Sequence, residues 1–157
     1  MKISEAAKLT GLSTSNIRFY EKKGLLAPVR ESESQYRDYS MEDIEQLKRI
    51  ILCRKMNISV DTIYLLQNGK VSMETILKRQ EEELLAQKEM LQGSIDLCRK
   101  IKGEKDLEHI DVDYYLNYVS EEEERGRRFA QVDELLEDFA DFVRIEPFWS
   151  DPYVGKF

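Results

Sequence analysis

The chain is short of the residues that carry acid–base and metal chemistry near neutral pH. Its 157 residues include one histidine, His109, and two cysteines, Cys53 and Cys98. The cysteines are far apart and in no C-x-x-C spacing, which excludes a disulfide framework or a four-ligand zinc site within one chain. There is no phosphate-cradling glycine loop and no Ser/His/Asp set, so an enzyme is not expected. Three prolines and seven glycines argue against low-complexity disorder and against a many-stranded sandwich. No stretch approaches 18 consecutive apolar residues, so neither a membrane-spanning helix nor a membrane partner is expected. Met1-Lys2-Ile3-Ser4-Glu5 has no apolar run and no small-residue cleavage site, so a signal peptide is not expected either. These absences predict a reduced, cytoplasmic protein with no cofactor and no metal site.

Charge is plentiful, at 35% of residues against 41% hydrophobic, a balance that leans toward long exposed helices. It is also unevenly spread. Residues 1–60 hold 11 Lys/Arg against 8 Asp/Glu, residues 61–102 hold 7 of each, and residues 103–157 hold 6 against 16, within a net charge of -7. A mildly basic head and a strongly acidic tail point to separate tasks. The acidic total does not exclude nucleic acid, because what matters is the charge on the contacting face.

Local signals are mostly helical. Ser4 fits as N-cap of a short helix that Gly11 stops. Ser13 caps a second helix from Thr14 to about Lys23, with Ile17 and Tyr20 on its inner face and Gly24 at its end. Two such helices joined by Gly11-Leu12-Ser13 form a helix-turn-helix whose second helix can lie in a groove. Leu25 to Tyr39 reads as a two-stranded hairpin, a wing, with Pro28 at an edge and a polar tip from Glu31 to Gln35. Ser40 opens a helix through Met56 with Asn57 suited to a left-handed cap, and Ser59 opens another that ends at Asn68-Gly69.

From Ser72 to Lys102 the pattern is one long helix of about 46 Å. Leu77, Leu84, Leu91 and Cys98 recur at seven-residue intervals, with Met73, Gln80, Gln87, Ser94 and Ile101 interleaved. A narrow seam on a lone helix needs a partner. The same helix of a second subunit is the economical one, with Gln80 and Gln87 setting the register; the other reading lays the helix against its own C-terminal segment. In the tail, Ser120 and Glu121 to Glu124 read as an acidic cap on a helix reaching Arg144, with Phe129, Val132, Leu136, Phe139 and Val143 on one face. The expected domains are 1–70, 71–102 and 103–157.

Three blocks stand in order ahead of the helix entered at Ser40: Ile3-Ser4-Glu5-Ala6-Ala7-Lys8-Leu9-Thr10-Gly11-Leu12-Ser13, then Ile17-Arg18-Phe19-Tyr20-Glu21-Lys22-Lys23-Gly24-Leu25-Leu26, then Pro28 with Tyr36-Arg37-Asp38-Tyr39. In this ordered set the N-terminal seventy residues resemble the MerR family of bacterial transcription regulators. The resemblance implies a mostly α fold, with a winged helix-turn-helix head, a long antiparallel coiled-coil dimerisation helix and a small helical C-terminal tail. It implies a homodimer that binds double-stranded promoter DNA at a near-palindromic operator. It also implies that the activated form bends and undertwists the promoter spacer, realigning it for RNA polymerase. Gln35 stands where the family often has glycine.

The residue chemistry is consistent with such an interface. Ser13, Thr14 and Ser15 open the second helix, where hydroxyls and backbone N–H groups can meet phosphate or base edges. Arg18, one turn on, has a fork suited to guanine or phosphate. Tyr20 and Lys23 can hold phosphates on either side. Arg37, flanked by Tyr36 and Tyr39, would be the phosphate contact of the wing. Tyr20 and Tyr39 fit core packing equally well.

Metal sensors of the family, by the same resemblance, carry a cysteine near the start of the dimerisation helix and a cysteine-containing loop after it. Here the start is Val71-Ser72-Met73, and no cysteine follows Cys98. The effector is therefore expected to be other than a metal, and both cysteines to be small packing residues. The sensor is then the tail. Tyr114, Tyr115, Tyr118, Phe139, Phe142 and Trp149 are candidates for an apolar effector pocket with acidic neighbours, which would suit a lipophilic cation; the same aromatics can instead form a small core that docks the tail. The rival to a ligand-responsive regulator is an architectural, excisionase-like protein that bends DNA and senses nothing.

Overall fold

The computed structural model of the chain describes residues 1–132. They fall into two units, one from Met1 to Glu82 and a second beginning at Glu83. In the first unit, helix α1 runs Ile3–Thr10 and α2 runs Thr14–Lys22. The start of α1 lies ahead of Ser4, because the Glu5 carboxylate reaches back to accept from the Lys2 N–H at 2.9 Å. Gly11 follows in the left-handed conformation (φ 77°) that closes the helix. Ser13 caps α2 as expected, its hydroxyl accepting from the Asn16 N–H at 3.1 Å. Strands β1 (Val29–Arg30) and β2 (Arg37–Asp38) form the antiparallel wing, with Val29 opposite Asp38 and Arg30 opposite Arg37.

Helix α3 (Met41–Lys55) opens on a reciprocal capping box between Ser40 and Asp43. Asn57 then takes a left-handed turn at φ 60°, and Ser59 caps α4 (Val60–Gln67). Ala6, Ile17, Tyr20, Leu25, Leu26, Tyr39, Ile44, Leu47, Ile50, Ile58 and Ile63 make the shared core. Full burial of one such side chain contributes roughly 1.5–3 kcal/mol. Two ladder pairs contribute far less, so the helical core and not the wing holds the head together.

Helix α5 (Met73–Ile101, 29 residues) is the long helix of the sequence pattern, about 44 Å from end to end. Ser72 accepts from the Thr75 N–H at 3.1 Å and so caps its start. Within the first unit, Ile76 packs on the core. The Gln80 amide donates to the carbonyls of Met56 and Asn57, both at 3.0 Å. Within the chain, Gln80 thus satisfies backbone carbonyls beyond the end of α3, which have no intrahelical partner.

In the second unit, α6 spans Val112–Glu124, with the Asp111 side chain accepting from the Tyr114 N–H. Gly126 ends it at φ 92°. Glu121 to Glu124 therefore close a helix, whereas the sequence pattern predicts that they open one. Asp111 is a competent N-cap and Gly126 a competent stop, and together they override the cap read at Ser120. Carboxylates at a C-terminal end oppose the helix dipole. Arg125 and Arg127 offset this by pairing with Glu122 at 2.9 and 3.1 Å. Phe129, expected on a helical face, lies instead in an irregular segment and is 5% exposed. Its neighbour Arg128 passes so close to Gly93 of α5 that any Cβ there would overlap the Arg128 carbonyl. Leu136, Phe139, Val143 and the rest of the helix expected to reach Arg144 lie outside the described residues. Among the described residues, no helix is long and apolar enough to cross a membrane.

Candidate nucleic-acid interface

Burial of Ile17 and Tyr20 fixes which way α2 faces. Residues at three- and four-residue spacing share a helix face, and Ser15, Arg18, Phe19 and Lys22 therefore form the opposite, exposed one. Ser13 spends its hydroxyl on the cap, Thr14 is half-buried, and Ser15 and Arg18 are exposed. Lys23 follows the helix with its ammonium 5.7 Å from the centre of the Phe19 ring, a cation–π contact that holds a positive charge beside the exposed face. Phe19 and Lys22 are absent from the expected contact set. The signal that finds them is the same helical spacing, counted from Ser15 and not from Ile17.

The two tyrosines left open between core and phosphate contact are resolved toward the core. Tyr20 is 8% exposed and Tyr39 is 1% exposed. Burial, followed by the nearby Glu21 charge, pushes the Tyr39 hydroxyl above the usual tyrosine range. Tyr36 differs, standing 76% exposed on the wing. The wing tip turns through Gln35 at φ 57°, with the Gln35 N–H donating to the Glu31 carbonyl at 3.0 Å.

Arg37 is half-buried, and its Nε donates to both oxygens of Glu21, at 2.7 and 2.8 Å. That hydrogen bond and the Glu21 charge hold the guanidinium above its already high pKa. A guanidinium has four further N–H donors, so the pairing orients the fork without exhausting it. Arg18, Tyr36 and Arg37 all line one cleft between the N-terminal end of α1 and the wing, with Lys2 and Ser4 on its other side. The fold thus gathers one α2 residue and two wing residues of the expected set around a single depression.

The tail candidates are in the second unit. Tyr114 and Tyr115 meet edge to face at 5.1 Å on α6. The Lys100 ammonium sits 4.3 Å from the centre of Tyr118 and 5.6 Å from that of Tyr114. The Tyr115 hydroxyl donates to Glu104 at 2.9 Å, which raises its pKa. A lysine of the chain itself therefore occupies the ring faces that the sequence reading offers to a cationic effector. Phe139, Phe142 and Trp149 lie outside the described residues. Cys53 is half-buried and its thiol pushed up by burial, while Cys98 is exposed. His109 is exposed and its Nδ1 lies 2.6 Å from Asp106. Among the described residues, no three His, Cys, Asp or Glu side chains gather as a metal site.

Comparison with known proteins places the head. Residues 1–70 match the family model described as MerR HTH family regulatory protein. The transcriptional regulator CueR of Vibrio cholerae is 46% identical over 61 residues, which is 39% of this chain and 44% of that protein. A probable heavy metal-dependent transcriptional regulator of Haemophilus influenzae is 51% identical over 63 residues, covering 40% and 49%. A ZntR homolog from the same organism is 36% identical over 84 residues, covering 54% and 59%. The chain thus spans about half the length of the curated relatives it matches. Among solved structures, the N-terminal part of MtaN, the Bacillus subtilis multidrug transporter activator, superposes with a TM-score of 0.60 at 23% identity, over 66% of this chain and 99% of that one. A MerR-family regulator from Bacillus cereus gives 0.56 at 23% identity, over 76% and 93%. At that identity the likeness is one of fold.

Proposed function

Because residues 1–70 match the model of the MerR helix-turn-helix family, we propose that the protein is a homodimeric, cytoplasmic transcription regulator of that family and not an enzyme. Its exposed α2 face enters the major groove while the wing tracks the flanking phosphates. The observation that carries this reading is the cleft where Arg18 of α2 meets Tyr36 and Arg37 of the wing. Ser15, Arg18 and Lys23 contact the DNA on the helix side, and Tyr36 and Arg37 on the wing side. Ser13 and Thr14 supply the backbone N–H groups of the first turn. Tyr20 and Tyr39 shape the surface from beneath.

Two heads on a dimer would meet successive major grooves about 34–36 Å apart on one face of the duplex. The active form distorts the promoter spacer and so acts on RNA polymerase indirectly. The domains work as a head (1–70), a dimerisation helix (71–102) and an effector-responsive tail (103–157). The effector is a small molecule other than a metal ion, although the Haemophilus influenzae relative is named as heavy metal-dependent. In support, residue 72 is a serine whose hydroxyl caps α5, and the aromatic cluster of α6 already accommodates one cation, Lys100.

Footprinting of the full chain on the DNA upstream of its own gene tests the reading. The expected result is a two-fold protected site between the promoter elements, weakened by about 1–3 kcal/mol in Arg18→Ala. Protection no stronger than on random DNA overturns it.

A further inference from the structure

Glu21 is outside the expected contact set, yet the wing converges on it. It lies on α2 with its side chain only 13% exposed. From β2, Arg37 donates to both of its oxygens at 2.7 and 2.8 Å. From β1, Arg30 brings Nη2 to 3.8 Å. Just past β2, the Tyr39 hydroxyl donates to it at 3.4 Å. A carboxylate offers about four lone-pair sites, so one side chain can hold groups from both strands together. Along its length the wing itself is weakly held. Each strand is two residues long, Val29 and Tyr36 are 71% and 76% exposed, and a two-stranded ribbon is marginal without packing. At its base Met1 holds it: the Tyr39 N–H donates to the Met1 carbonyl at 2.9 Å, and the Met1 ammonium donates to the Tyr39 carbonyl at 2.8 Å and to the Asp38 carboxylate of β2, ties to the start of the chain and not to α2.

We propose that Glu21 is the positioning residue of this interface, clamping both wing strands to the recognition helix so that helix and wing meet DNA as one surface. The proposal rests on reading α2 and the wing as the DNA-contacting pair. On this view Arg37 both touches the DNA and holds the wing through Glu21. Loss of either partner releases the wing, so loss of Glu21 adds little once Arg37 is gone.

Two arms test this on the full chain. In the first, with Cys53→Ser and Cys98→Ser as background, nitroxide labels at Lys22→Cys on α2 and Glu33→Cys on the wing tip report their separation by electron paramagnetic resonance, without DNA. The distance distribution is expected to broaden in Glu21→Ala and to a smaller degree in Glu21→Gln, which keeps one acceptor oxygen and serves alone where the alanine variant does not fold. Equal widths in wild type and variants overturn the clamp.

In the second arm, the unlabelled proteins bind a duplex that the wild type selects from a random-sequence pool. Glu21→Ala and Arg37→Ala are each expected to weaken binding about 5- to 30-fold, with the double variant no weaker than Arg37→Ala. Hydroxyl-radical protection should be lost at the outer phosphates and kept at the centre. Full additivity, or uniform loss of protection, overturns the positioning role. A wild type that selects no duplex removes the DNA reading itself, a result the label arm distinguishes from failure of the clamp.

Discussion

Gln35 turns the wing tip with φ at 57°, a left-handed conformation that costs a residue bearing a Cβ roughly 1–2 kcal/mol. It persists because the chain must reverse between strands of two residues, and the Gln35 N–H to Glu31 carbonyl bond closes that turn. Gln35→Gly removes the steric cost and adds back part of it as unfolded-state entropy. The net expectation is a gain of about 0.5–1 kcal/mol, read as a thermal midpoint higher by about 1–4 °C. A lower midpoint would mean that the Gln35 side chain supports the tip. At the same scale, Tyr20 and Tyr39 show how one residue type divides its labour. Both sit in a motif that looks like a phosphate-contacting surface, and both rings fill the core beneath it.

Among the elements, α5 departs furthest from its sequence pattern. A seven-residue repeat treats every seam position alike, yet Gln80 turns to the carbonyls of Met56 and Asn57. Gly93 is the other exception. Alanine is the better helix former by about 1 kcal/mol, so propensity alone says that Gly93→Ala strengthens α5. Its Cβ, however, would lie 3.1 Å from the Arg128 carbonyl carbon and overlap the oxygen, and backbone cannot swing away as a side chain can. Gly93→Ala is therefore expected to lift residues 126–129 off α5, breaking the pairing of Arg127 with Asp96 and of Arg128 with Glu89. Tryptic cleavage after Arg125, Arg127 and Arg128 should quicken while far-ultraviolet helicity stays level. Unchanged cleavage would show that the segment is held by other contacts.

For the molecule as a whole, the exposed repeat on α5 is the ground for a homodimer. Leu77 and Leu84 are each 37% exposed and Leu91 is 65% exposed, a row of apolar surface along one long helix that a second copy would cover. Leu84→Glu with Leu91→Glu places two charges where an apolar seam is expected and leaves the core of the head untouched. Sedimentation equilibrium should then move from about twice the 18.5 kDa chain mass toward the single chain. A wild type that already sediments as one chain overturns the dimer.

Much of the head was legible in the residues alone, because its signals are local. Ser13, Ser40 and Ser59 bond to N–H groups three residues on, Gly11 and Asn57 adopt left-handed turns that little else tolerates, and the Ile17–Tyr20 spacing orients α2 within its own sequence. The ordered blocks from Ile3 to Tyr39 carried the family resemblance with them. In the tail, local competition misled: the cap read at Ser120 lost to Asp111 and Gly126, each as short-range as the signal it displaced. What only tertiary structure decided are the pairings across long stretches of chain. Glu21 with Arg30 and Arg37, Gln80 with the end of α3, and Gly93 with Arg128 join residues that no periodicity links. Each depends on where a separate element comes to rest, and on a carboxylate, an amide or a missing Cβ that meets it there.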